Sequence, residues 1–584
     1  MIKKYASLFM FSIFSLFLLA ACNETDKASG SDEERNENES ASEAGNSENT
    51  IQAIKDQKLS AENPELAPQA STNRGDTVVV TLQEPGGIFT PYFNSSGYDG
   101  NVQSVMFPPL VDVNEKGEPI PGLAESWEIS DDELTFTFHL RDHLKFDDGS
   151  PLTAEDVAFT LTLLHDPSYA GGTDITEAAI VGGLDYKEGD ATDISGIKII
   201  DEKTIQITTE KVNARSLRLL GSQVLKKDYY GNGYKKGNLD YIRDLHLAPI
   251  GAGPFRYVKY LPGQEIRYEA NEHYYGGKPE ISTFIYKTTK GDSQQFFQTG
   301  EVDYTTLTAN ADSLELLKSL GFANIDLYTS TAYSYIAFNH NNPIFAQPEV
   351  RQALNYGLDR ETILNVHYQG LAQAANVPVA PISWAYTDKI AGFPYDPEKA
   401  KKLLEAAGWV EGKDGIREKD GEKLTIYYYA TSGGVADTLI PIAQENYREI
   451  GVDFQVELMD FNALLARVEK GDHDLASFST PMQTDPYNGV QSFHSKDTSS
   501  IVSGYKNEKV DELIEATIAT NDIEERKKAF HELYLELEKD PPLILFGYSK
   551  VLAGTNARVE GFNPNGFRGI SPSLPHLKIV DVKR

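Results

Sequence analysis

One cysteine, Cys22, stands in a chain of 584 residues, and a lone thiol closes no disulfide within its own chain. Whatever this sequence folds into is held by packing and hydrogen bonding alone. Its length allows that, because a chain this long divides into domains and buries several cores, far above the size at which covalent staples are needed. Aromatic residues supply part of the material, with 31 Tyr and 27 Phe. Tyrosine joins a flat apolar face to one hydroxyl, which suits ordinary cores and also a pocket for varied ligands. The formal net charge is -33. Such a surface repels phosphate backbones, and no basic patch with interleaved aromatics offsets it, which argues against nucleic acid as a partner.

Cys22 also sits at an informative place. Lys3 and Lys4 are followed by Tyr5 to Ala21 without a charge, and the run ends in Leu19-Ala20-Ala21-Cys22. A basic start, a short apolar stretch and small residues make an export signal. The last four residues resemble a bacterial lipobox, which implies a signal peptide at 1–21 and lipidation of Cys22. The protein is then expected on the outer face of the bacterial cell membrane, of Gram-positive type, held by more than one acyl chain at roughly 0.8 kcal/mol per buried methylene. The other reading is an ordinary signal or a single membrane anchor, since roughly 17 uncharged residues lie near the lower limit for a span. Asn23 to Ala44 is mostly Glu, Asp, Asn, Ser and Ala, too polar to form a core. Residues 22–75 therefore read as the lipidated Cys and a disordered acidic linker spanning roughly 40 Å on average, or as an acidic interaction tail. Ile51 to Leu59 reads as a transient helix.

Beyond the linker, strand and helix signals alternate. Thr77 to Leu82 is a buried strand pattern. Trp127 to Ile129 starts a strand, Ser130 to Glu133 turns it, and Leu134 to Arg141 alternates apolar and polar residues with period two. Thr153 with Asp156 makes a capping box for a helix facing inward through Val157, Leu161 and Leu164. Asp396 caps another helix, with Pro397 in its first position and Gly408 after its last turn. Gly251 and Gly253 point to close backbone packing. The class is α/β, with two or three domains.

Four blocks then resemble one family. They are Leu123 to Trp127 with Phe146 to Val157; Pro249 to Phe255 with Pro262-Gly263 and Asn271 to Pro279; Tyr335 to Asn339 with Val350 to Tyr356 and Leu358 to Arg360; and Tyr395 to Leu404 with Gly408-Trp409. In order and spacing they are similar to family 5 extracellular solute-binding proteins, the peptide- and nickel-binding components of ABC importers, over roughly residues 76 to 584. The resemblance implies a two-lobed periplasmic-binding-protein-like clamp of type II, in the three-domain cluster C form. Domain I is expected at 76–110, 245–325 and 546–584, domain II at 111–244, and domain III at 326–545.

It implies as well an oligopeptide held between closing lobes, an ABC permease and its ATPase subunits as partners, and a monomer without a cofactor. The block Met482-Gln483-Thr484-Asp485-Pro486-Tyr487 occupies the loop where peptide-binding relatives hold the ligand amino terminus. Several of them place an Asp four residues before the Pro, where this chain has Met482. Asp485 stands in for it, or the terminus is not fixed, or Asp485-Pro486 is a plain turn. Trp384 and Tyr548 are further ligand-binding candidates that read equally as core aromatics. Asn339 and Tyr335 suit a cleft wall or a strand interior. Glu125, Trp127 and Asp156 read as structural.

Rival classes find less support. The sequence has no Gly-x-Ser-x-Gly elbow, no His-Glu-x-x-His, no phosphate-binding loop and no reactive thiol for an enzyme. Its 11 His are scattered, and His139 and His143 flank a strand end and turn where a spacing of four makes no shared face, so no metal ligands are assigned. A receptor for a nickel or haem chelate, and a peptide-pheromone sensor without transport, remain the alternatives.

Overall fold

The valine run Thr77–Thr81 is a strand buried on both faces, with Val78 and Val80 in one core and Val79 in another. In the computed structural model, residues 55–582 are described apart from 95, 289, 291, 482–484, 498–501 and 503. Parallel neighbours Thr283–Lys287 and Tyr304–Leu307 flank the valine strand, which explains its unbroken apolar pattern. All three belong to a 13-stranded sheet made of two halves. One half adds Phe255–Leu261 and Glu265–Ala270, and the other contains Asp453–Met459, Thr425–Thr431, Leu475–Pro481 and Ala332–Phe338.

The strand Leu543–Asn556 runs through both halves. Its start pairs with Ala332–Phe338, and its end pairs with Tyr304–Leu307 and Ala323–Thr329. The chain crosses a second time between Thr329 and Ala332. Two crossings joining two sheet halves make a two-lobed α/β clamp with its hinge at these strands. Pairing slips within the long strand, Ser334 facing Gly547 while Tyr335 faces Leu545. The extra residue, Phe546, flips the alternation. Ile544 and Phe546 therefore face one core, while Tyr548 joins Leu543 in the other.

A separate antiparallel sheet of four strands lies within residues 111–244: Ala124–Ile129, Thr135–Leu140, Thr204–Thr208 and Ile197–Asp201. Phe136, Phe138 and Leu140 are buried, and Thr135, Thr137 and His139 between them are not, as the period-two pattern requires. The helix Ala154–Leu164 carries the complete capping box, with Asp156 accepting from the Thr153 N–H at 2.8 Å. Asp396 caps Pro397–Ala406 through the Lys399 N–H at 2.8 Å. A β-carbon on Gly251 would stand 2.2 Å from the Met106 carbonyl, and one on Gly253 2.5 Å from that of Val105, so both glycines permit close backbone approach.

The body begins earlier than the sequence suggests. Gln57–Leu59 is a strand paired with Ala323–Thr329, where a transient helix within a disordered linker was expected. The free edge of the sheet decides the matter, since pairing overrides a local preference of a few residues. Asp56 accepts from Lys550 at 2.6 Å, and Arg74 meets Asp303 at 2.6 Å. Asp303 is fully buried with Arg558, whose Nε donates to it at 2.7 Å, and it also accepts from the Val79 N–H. Cys22 and the apolar run before it lie outside the described residues, among which no helix is long and apolar enough to cross a membrane.

Candidate ligand-binding cleft

The strand Leu475–Pro481 pairs along its whole length with Ala332–Phe338. On its other side it pairs with Thr425–Thr431 only at Leu475 and Ala476. From Ser477 on, that edge has no strand neighbour among the described residues. Directly after it come Met482 and Gln483, which lie outside the described residues, and then the turn Pro486–Gly489. Asp485 caps this turn, accepting from the Tyr487 N–H at 2.9 Å. Gly489 presses the turn against the wall behind it: a β-carbon there would stand 2.2 Å from the Pro378 carbonyl, and its own carbonyl accepts from the Tyr333 hydroxyl at 2.7 Å.

Asp485 is not a free carboxylate. Arg526 donates through Nη2 to both of its oxygens at 2.8 Å, and both side chains are largely buried. The same guanidinium donates through Nε to the Thr517 carbonyl at 2.6 Å and lies 4.8 Å from the ring centroid of half-buried Trp384. Trp384 meets Phe530 edge-on. Asp485 and Trp384, singled out separately in the sequence, thus share one cation. Nothing in the sequence marked Arg526, which sits among many charges on the helix Ile523–Lys539.

Tyr487 is half-buried, and burial pushes its hydroxyl pKa up. Its ring carries the guanidinium of Arg215, 4.5 Å from the centroid, from the opposite lobe, in which the four-stranded sheet shares one core with Val78 and Val80. Glu177 pairs with Arg215, and burial raises its carboxyl pKa despite that cation. The cleft is therefore closed over at Tyr487 by a neutralised arginine. No local pattern marks Arg215 or Glu177 in the sequence.

The remaining candidates are committed elsewhere. Tyr548 is buried, and its hydroxyl both accepts from the Val377 N–H at 3.1 Å and donates to the Val377 carbonyl, so it braces the wall without a free polar atom. Asn339 is buried and donates to the carbonyls of Gly471 and His473 at 3.0 and 2.8 Å, which holds the turn before Leu475–Pro481. Tyr335 is buried with its hydroxyl 3.0 Å from Thr480 Oγ1.

Comparison with known proteins gives these features a context. The family profile for bacterial extracellular solute-binding proteins, family 5 (middle), matches residues 118–500. The oligopeptide-binding protein AppA of Bacillus subtilis is 27% identical over 503 residues, 84% of this chain and 89% of that one. NikZ from Campylobacter jejuni, solved in complex with Ni(L-His), is 26% identical with a TM-score of 0.74, over 85% of this chain and 97% of that one. The structure of AppA from Bacillus subtilis in complex with a nonapeptide aligns with a TM-score of 0.75 at 24% identity, over 87% of this chain and 99% of that one. These relatives are solute-binding receptors and not enzymes. With the profile spanning the hairpin, the crossing between Thr329 and Ala332 and the cleft wall, the chain belongs to the family 5 bacterial extracellular solute-binding proteins, the substrate-binding components of ABC importers.

Proposed function

We propose that this receptor captures oligopeptides in extended form between its lobes and delivers them to a membrane permease and its ATPase subunits. The observation that carries the ligand class is the open edge of Leu475–Pro481 beside the Asp485 turn. A free strand edge recognises a main chain whatever its side chains, which is strand addition. Half-buried Phe478, Tyr487 and Trp384 nearby offer broad apolar faces to varied side chains. The name of the Bacillus subtilis relative and the nonapeptide in its structure support the same ligand class. Because Arg526 already neutralises Asp485, the peptide amino terminus is not fixed by that carboxylate, and longer peptides bind in more than one register.

The reading includes domain I at 76–110, 245–325 and 546–584, domain II at 111–244 and domain III at 326–545, working as a monomer. It also includes a lipid on Cys22 that tethers the body to the outer face of the cell membrane. Mass spectrometry of material released from protein purified from its own host tests the ligand. Peptides are expected. A nickel–histidine complex of the kind named for NikZ, or haem, would replace the peptide reading, and peptides without any uptake defect on deletion would favour a sensor.

A further inference from the structure

The turn Ser130 to Glu133 joins Ala124–Ile129 to Thr135–Leu140. Glu133 holds it with φ +60°, a left-handed conformation in which a β-carbon is unfavourable and glycine is at ease. What glutamate supplies there is its carboxylate: Oε2 accepts from Asn521 Nδ2 at 2.8 Å, and Asn521 belongs to the opposite lobe. Two more contacts cross at the same mouth. The Ala214 N–H donates to the Ile518 carbonyl at 3.0 Å, and Arg215 covers Tyr487.

Each side of this seam is one braced piece. Thr209 ties the turn to the Ala214 loop, its N–H and hydroxyl both reaching the Leu134 carbonyl, at 2.8 and 3.2 Å. Across the seam, Arg526 joins the Thr517 carbonyl, at the start of the Ile518–Asn521 stretch, to Asp485 beside Tyr487. The landing surface and the proposed ligand wall are therefore held by the same guanidinium.

We propose that Glu133 and Asn521, with the Ala214–Ile518 hydrogen bond and the Arg215–Tyr487 stack, form a latch that fastens the lobes at the cleft mouth and sets the ratio of closed to open protein before any ligand arrives. These contacts exist only when the lobes meet, so their free energy counts toward the closed state alone. The left-handed glutamate is the local strain that such a contact retains. The latch deepens the proposed capture mechanism, yet it rests on the two-lobed fold and not on the identity of the ligand.

The test uses ligand-free, full-length chain carrying Cys22→Ser, Leu184→Cys and Leu535→Cys. Leu184 and Leu535 are exposed sites in opposite lobes. Single-molecule energy transfer between dyes on them reads the closed-to-open ratio. Glu133→Gly removes the carboxylate while relaxing the turn, so the ratio falls roughly tenfold, the loss of one hydrogen bond to a charged group, while the melting midpoint holds or rises. Glu133→Gln keeps an acceptor for Asn521 but loses the charge, so its ratio falls only a few-fold, and Asn521→Ala repeats the larger loss from the other lobe. An unchanged ratio in Glu133→Gly, or one that falls only with a lowered melting midpoint, overturns the latch. No peptide is present, so a failed peptide reading leaves this result standing.

Discussion

Arg526 makes a prediction that separates two ways of holding a peptide. A carboxylate presents about four acceptor positions. At Asp485 the Tyr487 N–H takes one, and the bifurcated Arg526 Nη2 takes two. With its charge matched and one position left, Asp485 gains little from a ligand ammonium, so acetylating the peptide changes wild-type affinity by no more than a few-fold. Arg526→Leu restores two positions and an unmatched charge. A hydrogen bond to a charged group contributes about 1.5–3 kcal/mol, so the free-amine peptide should gain roughly 10- to 100-fold over its acetylated twin. Calorimetric titration of both proteins with both peptides measures the four affinities. Breaking a buried pair costs about 3–5 kcal/mol of stability, so the variant is first checked for cooperative unfolding, and Arg526→Lys, which keeps the charge, should remain indifferent to acetylation. If acetylation abolishes binding to the wild type, Asp485 is not neutralised and the reasoning fails.

Other consequences follow from buried charge. Asp303→Asn leaves both Arg558, itself buried, and Arg74 without a countercharge and should cost about 3–5 kcal/mol in urea unfolding; a loss below about 1 kcal/mol would show that the Gly75 and Thr77 carbonyls, which accept from Arg558, suffice. His340 is pushed down to about 4 by burial first and then by Arg351. Its Nε2 bonds the Pro542 carbonyl and its Nδ1 faces Arg351 Nη1, so the ring is held neutral. The unfolded chain binds a proton near pH 6.5 and the folded one near 4. Stability from this group is full above pH 6.5 and is lost as pH falls toward 4, and His340→Gln should flatten the melting midpoint across that window.

Much of the scaffold could be read from local chemistry. The capping residues Thr153, Asp156 and Asp396 and the period-two strand Thr135–Leu140 each carry their reason within a few residues. Tyr548 shows where that ends: its direction depends on one extra residue, Phe546, opposite a strand some 200 positions away. Gln57–Leu59 is a strand only because Ala323–Thr329 offers an edge. In the cleft, the sequence singled out Asp485, Tyr487 and Trp384, which do share one wall. It missed Arg526, Arg215 and Glu177 because a salt bridge is a property of the fold, and one arginine among many carries no local mark.

On the proposed reading a bound peptide completes the sheet at Ser477 to Thr480. Amide hydrogen exchange of that stretch, followed by mass spectrometry with and without a saturating nonapeptide, tests it directly. Added protection at Ser477–Thr480 is the predicted result, because a bound main chain would take up the free edge. Unchanged exchange there, with the peptide demonstrably bound, would contradict the account.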